Sequence, residues 1–199
     1  MRSWPRWKSL LPVTTFFEPG ADPADDPATA ERLVPERSMS ERLWAHPGLR
    51  PVAHPGQLAA SPLLNYRWEH TDAALTAQLE LQAEGHPAIV EPGHAAIRYT
   101  NPTTGGDALP TIRAEFHRLV PDTATAPTRL VGSAVCQVFE GTGRVDIDGV
   151  GWDVERSDLF VVPSWATLTI HTDDGLDLFR FSDEPIIEKL GLAAGPPPG

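Results

Sequence analysis

From Ala95 to Phe181 the chain alternates apolar and polar residues in runs too short for helices. The runs are AAIRYT, TIRAEFHRLV, SAVCQVF, GRVDI, GWDVE, DLFVV, ATLTIHT and LDLFRF, bounded by glycine, proline or aspartate. A period of two sends alternate side chains to opposite faces of an extended strand, and the bounding residues are those that turns require. About eight such strands in roughly 90 residues, with no helical stretch between them, predict an all-β fold: an antiparallel jelly roll closing two sheets over one core. The stretch 132–165, GSAVCQVFEGTGRVDIDGVGWDVERSDLFVVPSW, shows the pattern most densely.

The flanks read differently. TDAALTAQLELQAE, from Thr71 to Glu84, is built of helix formers, with Thr71 or Asp72 placed to cap the first turn, Leu75 and Leu79 stacked at i,i+4, and Gly85 to stop it. One short helix is therefore expected over 71–86, and EPIIEKLGL, from Glu184, predicts a second at the end of a barrel domain covering 87–192. Residues 193–199, including GPPPG, carry no such pattern and are expected to be an unstructured tail. Residues 1–62 hold ten of the 21 prolines and an acidic, small-residue stretch from Glu18 to Ala30. Proline removes backbone donors and fixes φ, so residues 1–70 are expected to form an extended arm or linker. Its Trp4, Trp7, Phe16, Phe17, Leu43, Trp44 and Leu49 are too many for a free tail, and predict packing on this domain or on a partner.

At 199 residues the chain suits one buried domain plus an extension. Hydrophobic content of 41% and charge of 22% fit an ordinary soluble protein. A net charge of -11 argues against nucleic-acid or anionic-membrane partners, which would repel it. The start MRSWPRWKSLLPVTTFF has Arg2, Arg6 and Lys8 before an apolar run, but Pro12 interrupts that run and no A-x-A pattern follows. Nothing approaches the roughly 20 apolar residues of a membrane span, so the expectation is cytoplasmic. The single cysteine, Cys136, sits in an apolar run and reads as a small buried hydrophobe. The seven histidines, His46, His54, His70, His86, His94, His117 and His171, lie too far apart in sequence to suggest a chelating pair.

Four strings go beyond composition: FFEPG at 16–20, SPLLNYRW at 61–68, IRYTNPTTGG at 97–106, and VPSW at 162–165 with LFRFSDEP at 178–185. With QVFEGTG at 137–143 they resemble, in order and spacing, the second half of the gentisate 1,2-dioxygenase family, whose relatives also cleave salicylate and 1-hydroxy-2-naphthoate. The resemblance runs from about Pro12 to Leu192, with residues 1–11 matching least well. It implies a cupin, the C-terminal half of a two-cupin enzyme whose first jelly roll holds Fe(II) on three histidines. That first cupin inserts both atoms of dioxygen into gentisate to give maleylpyruvate. By the same resemblance, the H-x-H ligand positions fall on Thr128 and Leu130, the glutamate position at or next to Val135, and the third histidine position on Leu168. None is a strong ligand, so no metal and no cofactor are expected in this chain.

Two histidines are candidates to rescue a metal site. In TIRAEFHRLV the apolar side carries Ile112, Ala114 and Phe116, which puts His117 on the opposite face and predicts a surface or interface residue. His171, three residues past Leu168, points away from the face that Leu168 occupies. Glu140, Gly141 and Gly143 suggest a hairpin turn rather than acid–base chemistry. Pro163, Ser164 and Trp165 read as a strand-end corner, with Trp165 an anchor and Ser164 lacking the partners of a nucleophile. TTGGD at 103–107 lacks the lysine and helix of a phosphate loop and reads as a turn. Arg98, Tyr99 and Asn101 could face a missing first domain.

The leading expectation is thus a metal-free, non-catalytic cupin half, structural and oligomerising, whose partner is a catalytic cupin half or further copies of itself. The alternative is a stand-alone, non-catalytic ligand-binding cupin, which a dry apolar pocket would favour. A third reading, a metal-dependent dioxygenase using His117 or His171, predicts stoichiometric iron.

Overall fold

The computed structural model describes residues 66–86, 90–101 and 104–192. The arm's Trp4, Trp7, Phe16, Phe17, Leu43, Trp44 and Leu49, with His46, His54 and the tail 193–199, lie outside the described residues. Among the described residues, helix α1 (Trp68–Ala83) precedes nine strands, and a short helix α2 (Glu184–Lys189) follows them. The strands are β1 (His94–Arg98), β2 (Arg113–Leu119), β3 (Thr123–Ala124), β4 (Thr128–Arg129), β5 (Ala134–Ile147), β6 (Val150–Glu155), β7 (Leu159–Val162), β8 (Thr167–Thr172) and β9 (Leu176–Ser182). All pairings are antiparallel, as expected for the jelly roll.

β5 belongs to both sheets. Its first half pairs with β7 and β9, and its second half with β6 and β8. The first sheet runs β1-β2-β9-β5-β7 and the second β6-β5-β8, with β3 and β4 both against β8. The crossing is where the sequence suggests a hairpin, and the hairpin is not there. A bulge between Val138 and Glu140 and a left-handed Gly141 (φ +88) bend one continuous strand from sheet to sheet. A β carbon on Gly141 would lie 2.1 Å from the Gly175 carbonyl oxygen, so glycine is required by contact as well as by φ. The true hairpin follows at Asp148 and Gly149, both at positive φ as a two-residue turn demands.

Two apolar clusters hold the fold. Leu119, Val138, Val145, Val154, Ile170, Leu176 and Leu178 fill the barrel interior. Leu75 of α1 packs with Ala95 and Phe116 on the outside of the first sheet. β2 is therefore covered on both faces, Phe116 beneath the helix and Leu119 inside the barrel. α1 starts at Trp68 rather than Thr71, and Thr71 caps nothing: it is buried within the helix, its hydroxyl 3.0 Å from that of Tyr99. Trp68 explains the earlier start, because its ring packs 5.0 Å from Phe116 and 4.6 Å from Phe139. Gln78 completes the docking, donating to the Ala96 carbonyl at 3.0 Å and accepting from the Ala96 amide at 3.2 Å. That bidentate contact satisfies the Ala96 amide and carbonyl on the free edge of β1.

Candidate functional site

A cavity of about 330 Å³ lies within the barrel. Leu130, Ala134, Cys136, Leu168, Ile170 and Leu178 supply most of its hydrocarbon lining, and His94, Glu115, His117, Arg180 and Glu184 form a polar wall. Strand geometry explains the division. Glu115 and His117 share one face of β2 by the period of two, and Arg180 stands opposite Glu115 in the β2–β9 register.

The polar wall is one connected array. His94 Nδ1 lies 3.2 Å from Glu91 Oε1, and His94 Nε2 lies 3.0 Å from His117 Nδ1. With the Glu91 carboxylate accepting from Nδ1–H of His94, Nε2 of His94 accepts from Nδ1–H of His117 in the neutral pair. Burial, reinforced by His117, lowers the pKa of His94 and keeps it neutral near pH 7. His117 Nε2 is buried with no hydrogen-bond partner, 3.7 Å from Glu115 Oε2. Glu115 in turn accepts from Arg180, which also reaches Glu184. Burial opposes the Glu115 charge, but in the acidic range where Glu115 titrates, His117, then carrying a proton on Nε2, and Arg180 outweigh it and hold its carboxyl at about 2. Beyond the cavity, the Arg113 guanidinium donates to Glu184 at 2.7 Å, to Glu188 and to Asp107, anchoring α2 to β2.

His117 is thus not a surface or interface residue. Both faces of β2 are inner faces: the apolar one lies under α1 and the polar one points into the barrel. His94, which sequence spacing leaves isolated, pairs with it because β1 and β2 are adjacent and the two stand diagonally across the ladder. Glu115 and Arg180 escaped the sequence reading, which named His94 only among histidines too far apart to pair. The signal available for Glu115 was the i,i+2 recurrence of Arg113, Glu115 and His117 in a strand whose other face is apolar. Cys136 does lie buried, and burial pushes its thiol up to about 11, which removes thiolate reactivity.

Thr128, Leu130 and Leu168 line the same cavity, with Thr128 directly opposite Leu168 in the β4–β8 register. Val135 does not line it; its neighbours Ala134 and Cys136 do. The iron that the resemblance implies for a catalytic cupin does not fit these positions, which offer one hydroxyl and hydrocarbon where three strong donors must converge. Nor do other side chains replace them: among the described residues no three His, Cys, Asp or Glu groups gather as a metal site. The facing nitrogens of His94 and His117 are engaged with each other. His171 is half exposed on the outer face of β8, 3.4 Å from Asp173.

The remaining candidates have structural surroundings. Arg98 is half exposed, 3.9 Å from Asp107 and 3.7 Å from Glu115. Tyr99 packs on Tyr66 and Phe179 and contacts Thr71. Asn101 is buried, its amide donating to the Gly106 carbonyl at 2.9 Å across a turn through 104–106; Thr103, the first residue of TTGGD, lies outside the described residues. Ser164 Oγ accepts from the Gly132 amide at 3.0 Å, and Trp165 holds φ +68 with Arg129 stacked over its ring. No described helix is long and apolar enough to cross a membrane.

No family model matches the chain. A gentisate 1,2-dioxygenase from a Streptomyces species is 56% identical over 178 residues, which make up 89% of this chain and 48% of that protein. A 5-aminosalicylate 1,2-dioxygenase from a Comamonas species is 33% identical over 182 residues, 89% of this chain and 44% of that protein. The crystal structure of a salicylate 1,2-dioxygenase from Pseudaminobacter salicylatoxidans matches with a TM-score of 0.77 at 56% identity, covering 80% of this chain and 46% of that one. The chain spans about half the length of the curated relatives it matches, and its barrel is a cupin.

Proposed function

We propose, from the premise that this chain belongs to the gentisate 1,2-dioxygenase family and spans about half the length of its curated relatives, that it is the non-catalytic C-terminal cupin half of such a protein. One observation carries the reading: Thr128, Leu130 and Leu168, which the resemblance aligns with the iron ligands of a catalytic cupin, all line the cavity and give its wall a hydroxyl and hydrocarbon. Ring cleavage by this family's chemistry needs a metal that binds substrate oxygens and dioxygen together, and hydrocarbon excludes a dication. The role left to the chain is structural support of a catalytic cupin and contacts between copies.

The outer face of the first sheet agrees with a supporting role. Val161 of β7 and Phe181 of β9 both stand opposite Val135 of β5, and with Leu159 they give a row of apolar side chains exposed by 37–65%. Such a row is the kind of surface that a second domain covers. The test is oxygen consumption by the purified chain, reconstituted anaerobically with ferrous iron and then given gentisate. No consumption above free iron is expected alone, and restored turnover is expected when the complementary catalytic half of a relative is supplied with its own activity weakened by truncation. Turnover by the chain alone would refute the reading.

A further inference from the structure

The cavity that cannot take iron is still shaped to take something else. Its hydrocarbon lining comes chiefly from β5, β8, β9 and Leu130 just after β4, while its ionisable groups gather on a wall made by β1 with the preceding Glu91, by β2 and β9, and by Glu184 of α2; Thr125 and Thr128 add hydroxyls outside that wall. A volume of about 330 Å³ stands at the small end of ligand pockets, which run from roughly 300 to 1,000 Å³ and combine an apolar body with a few placed polar groups. Close packing leaves few voids this large unless they are used.

The polar wall specifies the chemistry. In the neutral His94–His117 pair the Glu91 carboxylate sets the direction of both hydrogen bonds, so His117 Nε2 presents a lone pair with nothing to accept from. Beside it, at 3.7 Å, is an oxygen of Glu115, another acceptor. Two adjacent acceptors want a donor between them. The carboxylates of Glu91, Glu115 and Glu184 line the cavity against the single cation Arg180, which both Glu115 and Glu184 already engage. An anionic ligand would meet net negative charge and no free cation, so a carboxylic acid is excluded where its neutral hydroxyl analogue is not.

We infer that the barrel cavity is a binding site for a small neutral molecule of one-ring size bearing a hydroxyl group, a phenol or comparable alcohol. The hydroxyl donates to His117 Nε2 and the ring lies against Leu168, Ile170 and Leu178. Register supports the pose, because His117 stands opposite Leu178 in the β2–β9 ladder. The lining belongs wholly to this chain, and occupancy of the cavity requires no metal. Failure of the half-enzyme reading would therefore leave it standing, and the reverse also holds.

The experiment is titration of the full chain with phenol, toluene and benzoate, followed by calorimetry and by saturation-transfer NMR on the ligands. Phenol is expected to bind about tenfold more tightly than toluene, the value of one well-placed buried hydrogen bond, and benzoate not to bind. His117→Leu is expected to bring phenol down to the level of toluene while toluene is unchanged. Leu168→Phe, which occupies the hydrocarbon side without touching the acceptor, should abolish binding of both. Circular dichroism establishes that each variant is folded. Phenol failing to saturate, benzoate competing equally, or phenol affinity surviving both substitutions would overturn the inference and mark the cavity as a water-filled void.

Discussion

Gly141→Ala and Gly149→Ala form a matched pair that tests how β5 passes from one sheet to the other. Both glycines hold nearly the same backbone angle, φ +88 and +81, so an alanine at either site carries the left-handed strain of about 1–2 kcal/mol. Their surroundings differ completely. Around Gly149 there is open space, whereas at Gly141 the new β carbon would meet the Gly175 carbonyl oxygen at 2.1 Å, its carbon at 2.9 Å and Leu176 Cα at 3.1 Å. Those atoms are backbone, so no rotamer change relieves them. β5 and β9 must part locally, which endangers the hydrogen bond from the Thr142 amide to the Gly175 carbonyl.

Overpacking costs about 1–3 kcal/mol and a lost hydrogen bond about 1 kcal/mol. Gly141→Ala should therefore exceed Gly149→Ala by about 2–4 kcal/mol. At roughly 2–4 °C per kcal/mol for a chain of this size, the two melting temperatures should differ by about 4–16 °C. Urea titration followed by far-UV circular dichroism gives the free energies, and thermal melts give the temperatures. Equal losses in the two variants would refute the reasoning, since they would mean that φ alone, and not the approach of β9, makes glycine necessary at the bend.

Two further outcomes follow from packing and charge. Leu75→Ala removes a fully buried side chain between α1 and the first sheet, and should cost about 2–5 kcal/mol in urea unfolding, against less than about 0.5 kcal/mol for the exposed Leu81→Ala. Glu115 has a folded pKa of about 2 against an ordinary 4.5, so its contribution is complete above pH 4.5 and is lost as pH falls through 2. Wild type should exceed Glu115→Gln in stability at pH 6, with the gap closing toward pH 2; a gap that widens on acidification would contradict the Arg180 ion pair.

The strands were legible in the sequence because strand period depends on which residues face a core, and both cores here are hydrocarbon. The bend in β5 was not. EGTG carries the glycines of a tight turn, and nothing local distinguishes a turn that reverses the chain from a bulge that only redirects it. What decides is β9, 35 residues away, whose register with β5 continues across the bulge from Val138–Leu178 to Gly141–Leu176. β3 and β4 were missed for a related reason. Each is two residues long and exists only as an addition to β8.

The polar wall shows the same limit at the level of the site. Reading β2 as amphipathic is correct, but amphipathic strands place the apolar side inward only where one core exists. α1 supplies a second core outside the first sheet, and Phe116 with Leu75 and Ala95 claims it. The polar side of β2 is then left facing the barrel interior, where isolated charges would be costly. Arg180 opposite Glu115 and His94 diagonal to His117 offset that cost by pairing, and both partners come from neighbouring strands. Helix α1, by covering the outer face of the sheet, is therefore what turns an apparent surface histidine into a buried one, and it is why the cavity has chemistry to offer although the positions that the resemblance aligns with metal ligands carry a hydroxyl and hydrocarbon.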